Sequence, residues 1–228
     1  MRLHVLADHQ AVSQALADRL LAFVEARPRA VLALPSGNTP KALYRLLAPH
    51  AAAFAGVTVF ALDEYLGLEP DDPRSFRAFF EAHVFGPLAL PPERAFVLDG
   101  RSAAPEAEAA RYEAAIAAAG GLDLTVLGLG ANGHIAFNEP GEALQARTHT
   151  ATLQPPANEV APRALTMGVG TLLAAPQVWL MATGEGKAEA AAAMRSGLIT
   201  PRCPASLLQA HPGAEVFLDE AATALFPR

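Results

Sequence analysis

Three short polar stretches of the chain carry the side chains that enzymes use for proton transfer and anion binding. The richest one, Gly128–Pro140, places Asn132, His134 and Glu139 on a glycine-rich loop after an apolar run. A histidine beside a carboxylate is an acid–base unit, because the carboxylate orients the ring and stabilises its cation. A lone loop histidine is usually only solvated, but this combination predicts proton transfer at His134.

The same loop holds Gly128, Gly130 and Gly133 in the spacing of the dinucleotide-binding fingerprint. Pro140 and Gly141 follow where the helix of that motif should run, and no acid stands about 20 residues downstream to bind the ribose. We therefore assign no nucleotide cofactor. The H-x-x-x-H type of spacing that is typical of zinc ligands is also absent, so we expect no metal.

A second stretch ends the apolar run Val57–Leu62 with two adjacent acids, Asp63 and Glu64. Side chains alternate along an extended chain, so the two carboxylates should point apart. One of them could enter a cleft as a base while the other is solvated or structural. Taken alone, the pair also fits an ordinary charged start of a loop.

The third stretch is Ser36-Gly37-Asn38-Thr39, which lies between a predicted strand and a predicted helix. Such a loop exposes backbone N–H groups at the positive end of a helix, where a phosphate binds well. Thr39 suits the N-cap and Pro40 the first helical position. An ordinary capped turn explains these residues equally well, and the Walker A spacing is absent.

Strand-like and helical patterns alternate along the chain, and they decide where these stretches lie. Strands are predicted at Arg2–Ala7, Ala30–Pro35, Val57–Leu62, Ala95–Leu98, Leu122–Leu129, Val178–Thr183 and Glu215–Leu218. Helices are predicted at His9–Glu25, Thr39–Leu47, Ser75–Phe85, Pro105–Ala119, Ala164–Ala175, Lys187–Ser196 and Glu220–Ala224. The alternation predicts one α/β domain over 1–228, a mostly parallel, doubly wound (Rossmann-like) sheet with helices on both faces. Ligands of such folds bind beyond the carboxyl ends of the strands, where the polar stretches fall.

Composition narrows the class of protein. The 228 residues are 52% hydrophobic and 18% charged, which is enough for a sizeable core and argues against disorder. The net charge is −6 and no basic block is present, so neither nucleic acid nor an anionic membrane is an expected partner. The N-terminus lacks a signal-peptide pattern, and the single Cys203 excludes an internal disulfide. We expect a soluble, cytoplasmic monomer or small homo-oligomer.

Taken together, the polar stretches resemble the glucosamine-6-phosphate deaminase family. The matching segments, in the same order over nearly the whole chain, are Pro35–Pro40, Leu62–Leu68, Gly128–Pro140, Ala164–Gly168, Lys187 and Pro204–Gln209. The string Gly133–Pro140 is the most specific. The related 6-phosphogluconolactonases share the fold and the Gly-His pair of this loop, but they lack the Phe-Asn-Glu-Pro that follows it.

The resemblance implies a reaction in which glucosamine 6-phosphate and water give fructose 6-phosphate and ammonia, without a metal or organic cofactor. Carried over by position, Asp63 is the base that moves a proton between C2 and C1 of the sugar. His134 opens the pyranose ring, with Glu139 as its partner. Asn132 stands where some members have Asp and others Asn.

The implied phosphate site consists of the Ser36–Thr39 backbone and of Lys187, one of only two lysines in the chain. The family usually has a longer lid after the position of Arg147, with an arginine that contacts the phosphate. This sequence lacks that segment, so Arg147 or Arg163 is the candidate replacement. The departure leaves two alternatives open: a sugar-lactone hydrolase in which His134 activates water, and a non-catalytic sugar-phosphate sensor.

The resemblance also bears on regulation. Larger members are activated by an amino-sugar phosphate that binds between subunits, partly through small hydroxyl residues just after the Phe-Asn-Glu-Pro string. Here Gly141-Glu142-Ala143-Leu144 follows that string, and a glutamate facing a phosphate repels it. We expect simple hyperbolic kinetics without an activator.

Overall fold

The computed structural model describes residues 1–155 and 157–226, which form ten strands and six α-helices. The strands are β1 (Arg2–Leu6), β2 (Val31–Leu34), β3 (Thr58–Ala61), β4 (Asp63–Tyr65), β5 (Ala95–Phe96), β6 (Leu124–Gly128), β7 (His149–Thr152), β8 (Arg163–Thr166), β9 (Gln177–Ala182) and β10 (Ala214–Asp219). The helices are α1 (His9–Ala26), α2 (Lys41–Leu47), α3 (Phe76–Phe80), α4 (Pro105–Ala118), α5 (Val169–Leu172) and α6 (Ala188–Met194). Tighter 3-10 turns cover Ala48–Phe54, Pro92–Arg94, Ala157–Glu159, Glu185–Lys187, Pro204–Ala210 and Ala221–Thr223, and a wider π turn, Glu81–Phe85, continues α3.

Seven strands form the main sheet, in the order β1-β10-β9-β6-β2-β3-β5, and every neighbouring pair is parallel. The predicted parallel, doubly wound sheet is therefore confirmed. After β2 the chain adds β3 and β5 on one side and then crosses to β6 on the other. Loops diverge where the strand order reverses in this way, and the crevice between them is the usual ligand site of such sheets.

Both faces of this sheet are covered, as predicted. Along β2, Val31 and Ala33 pack into one core with α4, α5 and α6, whereas Leu32 and Leu34 pack into a second core with α1, α2 and α3. This split follows from the two-residue alternation of side chains along a strand. The strands that carry the site are therefore held rigidly from both sides.

A second, three-stranded antiparallel sheet, β4-β8-β7, was not predicted. The prediction of a helix over Ala164–Ala175 is wrong in its first part, because Arg163–Thr166 is strand β8 and only Val169–Leu172 is helical. In β8, Ala164 and Leu165 are buried and pair with β4 and β7. A short apolar run fits a helix or a strand locally, and distant pairing decides between them.

The start of α2 also differs from the prediction. The helix begins at Lys41, and Pro40 occupies the cap position without a side-chain hydrogen bond, so Thr39 is not the N-cap. A turn closed by Lys41 N–H donating to Asn38 O at 3.3 Å precedes the helix. Within the described part of the chain, no helix is long and apolar enough to cross a membrane.

Candidate active site

Four neighbouring strands of the main sheet, β9, β6, β2 and β3, end at the same edge, and each is followed by a predicted site segment. Lys187 follows β9, the Gly128–Pro140 loop follows β6, Ser36–Thr39 follows β2, and Asp63 follows β3. The parallel order of the strands thus brings the three polar stretches and Lys187 to one edge. The sequence placed them there only by analogy with other α/β folds.

The loop after β6 is built around the His134 ring. Gly130 N–H donates to His134 O at 2.9 Å, and Gly133 N–H donates to Gly130 O at 3.0 Å. A Cβ on Gly130 would collide with the imidazole, and Gly133 has a φ of +90°, which favours glycine. Of the three glycines that imitate a nucleotide fingerprint, Gly130 therefore makes room for the histidine, and Gly133 permits the turn before it.

His134, Glu139 and Asn132 form one linked group. His134 Nδ1 lies 3.0 Å from Glu139 Oε1, an ion-pair distance, although the ring N–H is not aligned for an ideal hydrogen bond. Asn132 Nδ2 donates to Glu139 Oε2 at 2.7 Å, and Asn132 Oδ1 accepts from His134 N–H at 3.2 Å. Burial raises the pKa of Glu139, but the contacts with His134 and Asn132 outweigh it and leave the pKa below its usual value. Glu139 is therefore an ionised partner for His134.

The chain then makes a tight turn that joins this loop to the small sheet. Phe137 N–H donates to Thr166 Oγ1 at 3.0 Å, and Asn138 Nδ2 donates to Met167 O at 2.8 Å. Thr166 is the register partner of Asp63 in the β4–β8 pair. The unpredicted sheet therefore connects the histidine loop to the Asp63 strand.

The same turn contains a strained residue. Ala136 has a φ of +48°, one of two non-glycine residues with positive φ in the described chain. Asn138 N–H closes the turn on Ile135 O at 3.1 Å. A left-handed alanine costs roughly 1–2 kcal/mol, and such strain concentrates at functional sites.

Asp63 and Glu64 have different environments, in agreement with the predicted divergence of the two carboxylates. Asp63 is 6% exposed, and its Oδ1 is buried without a hydrogen-bond partner. Burial, and then the charge of Glu64, raises the pKa of Asp63 to about 8. Glu64 accepts backbone N–H bonds instead. A buried, unpaired carboxyl is costly, and a strongly shifted pKa in a cleft marks a candidate functional group.

The predicted phosphate site combines an open loop with a half-buried cation. Gly37 and Asn38 are exposed, Gly37 has a φ of +99°, and nothing lies within 4 Å of where its Cβ would be. Lys187 is half-buried, burial lowers its pKa, and no acidic side chain of the described residues pairs with it. A desolvated cation without an internal partner suits an anionic ligand.

Asp219, at the end of β10, is a site-supporting residue that the sequence did not reveal. Both of its carboxylate oxygens accept from Gly184 N–H, at 3.0 and 2.9 Å, and Oδ1 also accepts from Ala222 N–H at 2.8 Å. Gly184 has a φ of +89° and begins the turn that carries Lys187. Asp219 therefore fixes the lysine loop, through a contact between strand ends that only the sheet order creates.

In residues 1–155 and 157–226, neither of the two candidate replacement arginines forms a hydrogen bond or ion pair with the Ser36–Thr39 loop. Arg147 is largely exposed, and its Nη1 lies 3.3 Å from Glu113 Oε2 of α4. Arg163 is exposed on β8. In residues 1–155 and 157–226, no group of three His, Cys, Asp or Glu side chains could hold a metal ion.

Comparison with known proteins gives this site a family. A family model described as glucosamine-6-phosphate isomerases/6-phosphogluconolactonase matches residues 7–217. The chain belongs to this family. The family resemblance inferred from the motifs is thereby confirmed, and the match extends from the residue after β1 into β10.

Individual relatives agree. The glucosamine-6-phosphate deaminase of Rhodopirellula baltica is 39% identical over an alignment 243 positions long, which covers 100% of this chain and 97% of that protein. The one from Shewanella loihica is 41% identical, covering 97% of this chain and 88% of that protein. A solved structure of a monomeric glucosamine-6-phosphate deaminase superposes with a TM-score of 0.94 at 34% identity, covering 99% of this chain and 100% of that one. The 6-phosphogluconolactonase of Trypanosoma brucei, at 20% identity, shares the fold with a TM-score of 0.84, covering 99% and 98% of the two chains.

Proposed function

We propose that this enzyme converts glucosamine 6-phosphate and water to fructose 6-phosphate and ammonia. The observation that carries the proposal is the buried, unpaired Asp63, joined through Thr166 to the loop of His134 and Glu139. This arrangement combines a base that can take a proton from carbon with a separate acid–base unit, as a deaminating isomerisation requires. The relatives near 40% identity bear the name of this activity.

Ring opening is the task of the histidine group. Because Nδ1 of His134 faces Glu139, Nε2 is the nitrogen that takes the proton of the O1 hydroxyl and delivers it to O5. Glu139 stabilises the cation formed between these two transfers. Asn132, which cannot ionise, holds Glu139 and the loop backbone in place.

Isomerisation and deamination follow on the open-chain sugar. Asp63 takes the proton from C2 and returns it to C1, while a proton passes from the amino group to O1, so that C1 becomes CH2OH and C2 becomes an imine. Water adds at C2, both of its protons move to the nitrogen, the C–N bond breaks and ammonia leaves a ketone at C2, so the atoms of glucosamine 6-phosphate and water are all accounted for. A base with a pKa raised to about 8 is stronger than an ordinary aspartate and keeps the proton between the two carbons.

The phosphate binds remotely, on the N–H groups of Ser36–Thr39 and on Lys187. Burial disfavours the charged form of the lysine in the free protein, so an arriving phosphate dianion stabilises it. Binding energy gained there holds the reacting carbons at the acid–base groups. Arg147 or Arg163 is the proposed replacement for the missing lid arginine at the phosphate.

The substrate also bears on location and assembly. A sugar phosphate is too highly charged to cross a bilayer, so the enzyme shares a compartment with its substrate, and we place it in the cytoplasm. We propose a monomer or small homo-oligomer, in line with the relative described as monomeric. Light scattering at several protein concentrations tests this.

One assay decides among the candidate activities. Glucosamine 6-phosphate should give ammonia and fructose 6-phosphate in equal amounts. Hydrolysis of 6-phosphogluconolactone without release of ammonia would show a lactonase, the alternative that rests on the shared fold. Tight binding of glucosamine 6-phosphate without any turnover would show a sensor. Asp63→Asn is the matched control, because lactone hydrolysis needs no carbon-proton base and deamination does.

A further inference from the structure

Glu64 is a buried acid next to the base that the reaction scheme above does not use. It is 3% exposed, and its carboxylate accepts three backbone N–H bonds. These come from Tyr65 at 2.8 Å, from Phe76 at 2.9 Å and from Arg77 at 2.7 Å. The last two belong to the first turn of α3, so the side chain ties strand β4 to that helix.

Capping of α3 does not by itself explain this acid. Ser75 already caps the helix, with its Oγ accepting from Ala78 N–H at 3.0 Å. Behind β4 the packing is tight, because a Cβ on Gly100 would collide with Tyr65 O and lie 3.1 Å from Glu64 Cγ. The backbone of β4 is therefore held from two sides immediately beside Asp63.

The division of charge within the acid pair follows from these contacts. Burial raises the pKa of Glu64 above its usual value, and its three N–H bonds and the nearby Arg77 offset only part of that rise. Asp63 has no such donors for its buried Oδ1. Where two neighbouring acids compete for one proton, the one with donors stays ionised and the other is protonated first.

The other groups around Asp63 do not neutralise the negative charge of Glu64. Tyr65 on the same strand and Tyr112 on α4 are neutral phenols, and Tyr112 OH donates to Ala61 O at 2.9 Å. Thr166 on β8, the register partner, is uncharged. Among the described residues, the charge that acts on Asp63 is therefore that of Glu64.

We propose that Glu64 is a positioning residue for deamination, which fixes the strand of Asp63 against α3 and places a negative charge beside the base. The proposal rests on the role of Asp63 given above. The charge makes Asp63 a stronger base toward C2. The hydrogen bonds from Glu64 to α3, which we call the clamp, keep the Asp63 carboxylate in position while it carries the proton to C1.

Glu64→Gln removes the charge and keeps the size of the side chain, and because its amide NH2 group cannot accept an N–H bond, it also loses at least one of the three bonds. The low-pH limb of kcat/KM should move to lower pH by about one unit, since a like charge no longer opposes ionisation of Asp63. The rate above the limb should fall on the order of 10- to 100-fold, as expected for a misaligned weaker base. The substrate titrates identically with every variant, so the difference between profiles reports the enzyme.

Two further variants separate charge from anchoring. Ser75→Ala removes a hydrogen bond from the same helix end without changing a charge, and its pH limb should stay at the wild-type position. Glu64→Asp keeps the charge but shortens the reach to α3, so its limb should stay in place while kcat falls. Circular dichroism and melting curves check that each variant folds, and if Glu64→Gln does not fold, Glu64→Asp still tests the clamp.

The outcomes distinguish this inference from the proposed function. A Glu64→Gln enzyme with the wild-type limb and rate overturns the role of Glu64, and so does a Glu64→Asp enzyme with unchanged kcat. If Asp63→Asn, measured in parallel, retains near-normal deamination, the role of Asp63 itself is wrong. Loss of activity in Asp63→Asn together with a shifted limb in Glu64→Gln supports both.

Discussion

The two carboxylates that serve the site, Glu139 and Asp63, are built in opposite ways. Glu139 receives a hydrogen bond from Asn132 and lies beside His134, and these contacts hold its pKa below the usual value despite burial. Asp63 has a buried oxygen without a partner and a like charge beside it, and its pKa rises to about 8. Environments that push two acids apart assign them different tasks. In the proposed mechanism, Glu139 remains an anion that supports a histidine, and Asp63 exchanges a proton with carbon.

The contrast predicts its largest effect at Asp63. Asp63→Asn keeps the shape of the side chain but cannot accept the proton of C2, so ketose formation and exchange of that proton with deuterium in the solvent should both fall on the order of 10²–10⁴-fold. Ammonia release and NMR of the C2 position measure the two. Exchange at the wild-type rate would remove Asp63 from the carbon-proton step.

His134 should behave differently. His134→Gln should be slow on the closed pyranose but lose much less on a substrate analogue held in the open-chain form, because its proposed task ends at ring opening. The loss on the closed form should be on the order of 10²-fold or more. Comparing the two substrates gives the answer, and equal losses would mean that His134 also acts after the ring has opened.

How much of the fold and the site could be predicted from the sequence depends on how far apart along the chain the contacting residues are. The parallel strands and the His134 loop follow from local patterns, since alternating elements and motif residues are adjacent in sequence. The clamp of Glu64 on Arg77 and the bond of Asp219 to Gly184 link residues 13 and 35 positions apart. No local sequence pattern predicts such contacts.

Strand β8 shows that prediction of the fold from local sequence has the same limit. The sequence of Arg163–Thr166 suits a helix as well as a strand, and pairing with β4, about 100 residues earlier, decides the outcome. The prediction that Thr39 caps α2 is wrong for a smaller reason. Thr39 has the right chemistry, but the turn that ends at Lys41 leaves it before the cap position.

Lys187, the lysine of the proposed phosphate site, gives the next prediction. Lys187→Met should raise KM for glucosamine 6-phosphate on the order of 10-fold or more and change kcat less, because the ammonium binds far from the reacting carbons. Lys41→Met is the matched control. Lys41, the only other lysine, lies with its Nζ 5.8 Å from the centre of the Phe79 ring and should leave KM nearly unchanged. Equal effects of the two substitutions would contradict the assignment.

Asp63 should also affect stability, in a direction opposite to its effect on rate. The pKa of this carboxyl rises from 3.8 to about 8 on folding, so the folded protein binds the proton more tightly than the unfolded chain. Stability is therefore lost as pH rises between these values, and the loss is complete above about pH 8. The melting temperature of Asp63→Asn should exceed that of the wild type, by a margin that grows from pH 5 to pH 8. A margin that shrinks with rising pH would mean that the carboxyl is paired in solution.

The smallest expected effect concerns regulation, where we predict none. Glu142, just after the Asn132–Glu139 group, is exposed and pairs with Arg202. A phosphate arriving there would meet a carboxylate and would have to break that ion pair, whereas activation requires a ligand that binds one conformation better than another. Initial rates against glucosamine 6-phosphate should follow a hyperbola, and N-acetylglucosamine 6-phosphate should not change it. A sigmoidal curve that this compound converts to a hyperbola would show an effector site on another surface.

Glu142→Ser sharpens this test, because it removes the carboxylate and leaves a hydroxyl. If the charge of Glu142 alone blocks the site, calorimetry should detect weak binding of N-acetylglucosamine 6-phosphate to the variant. The deamination rate of the variant should stay that of the wild type.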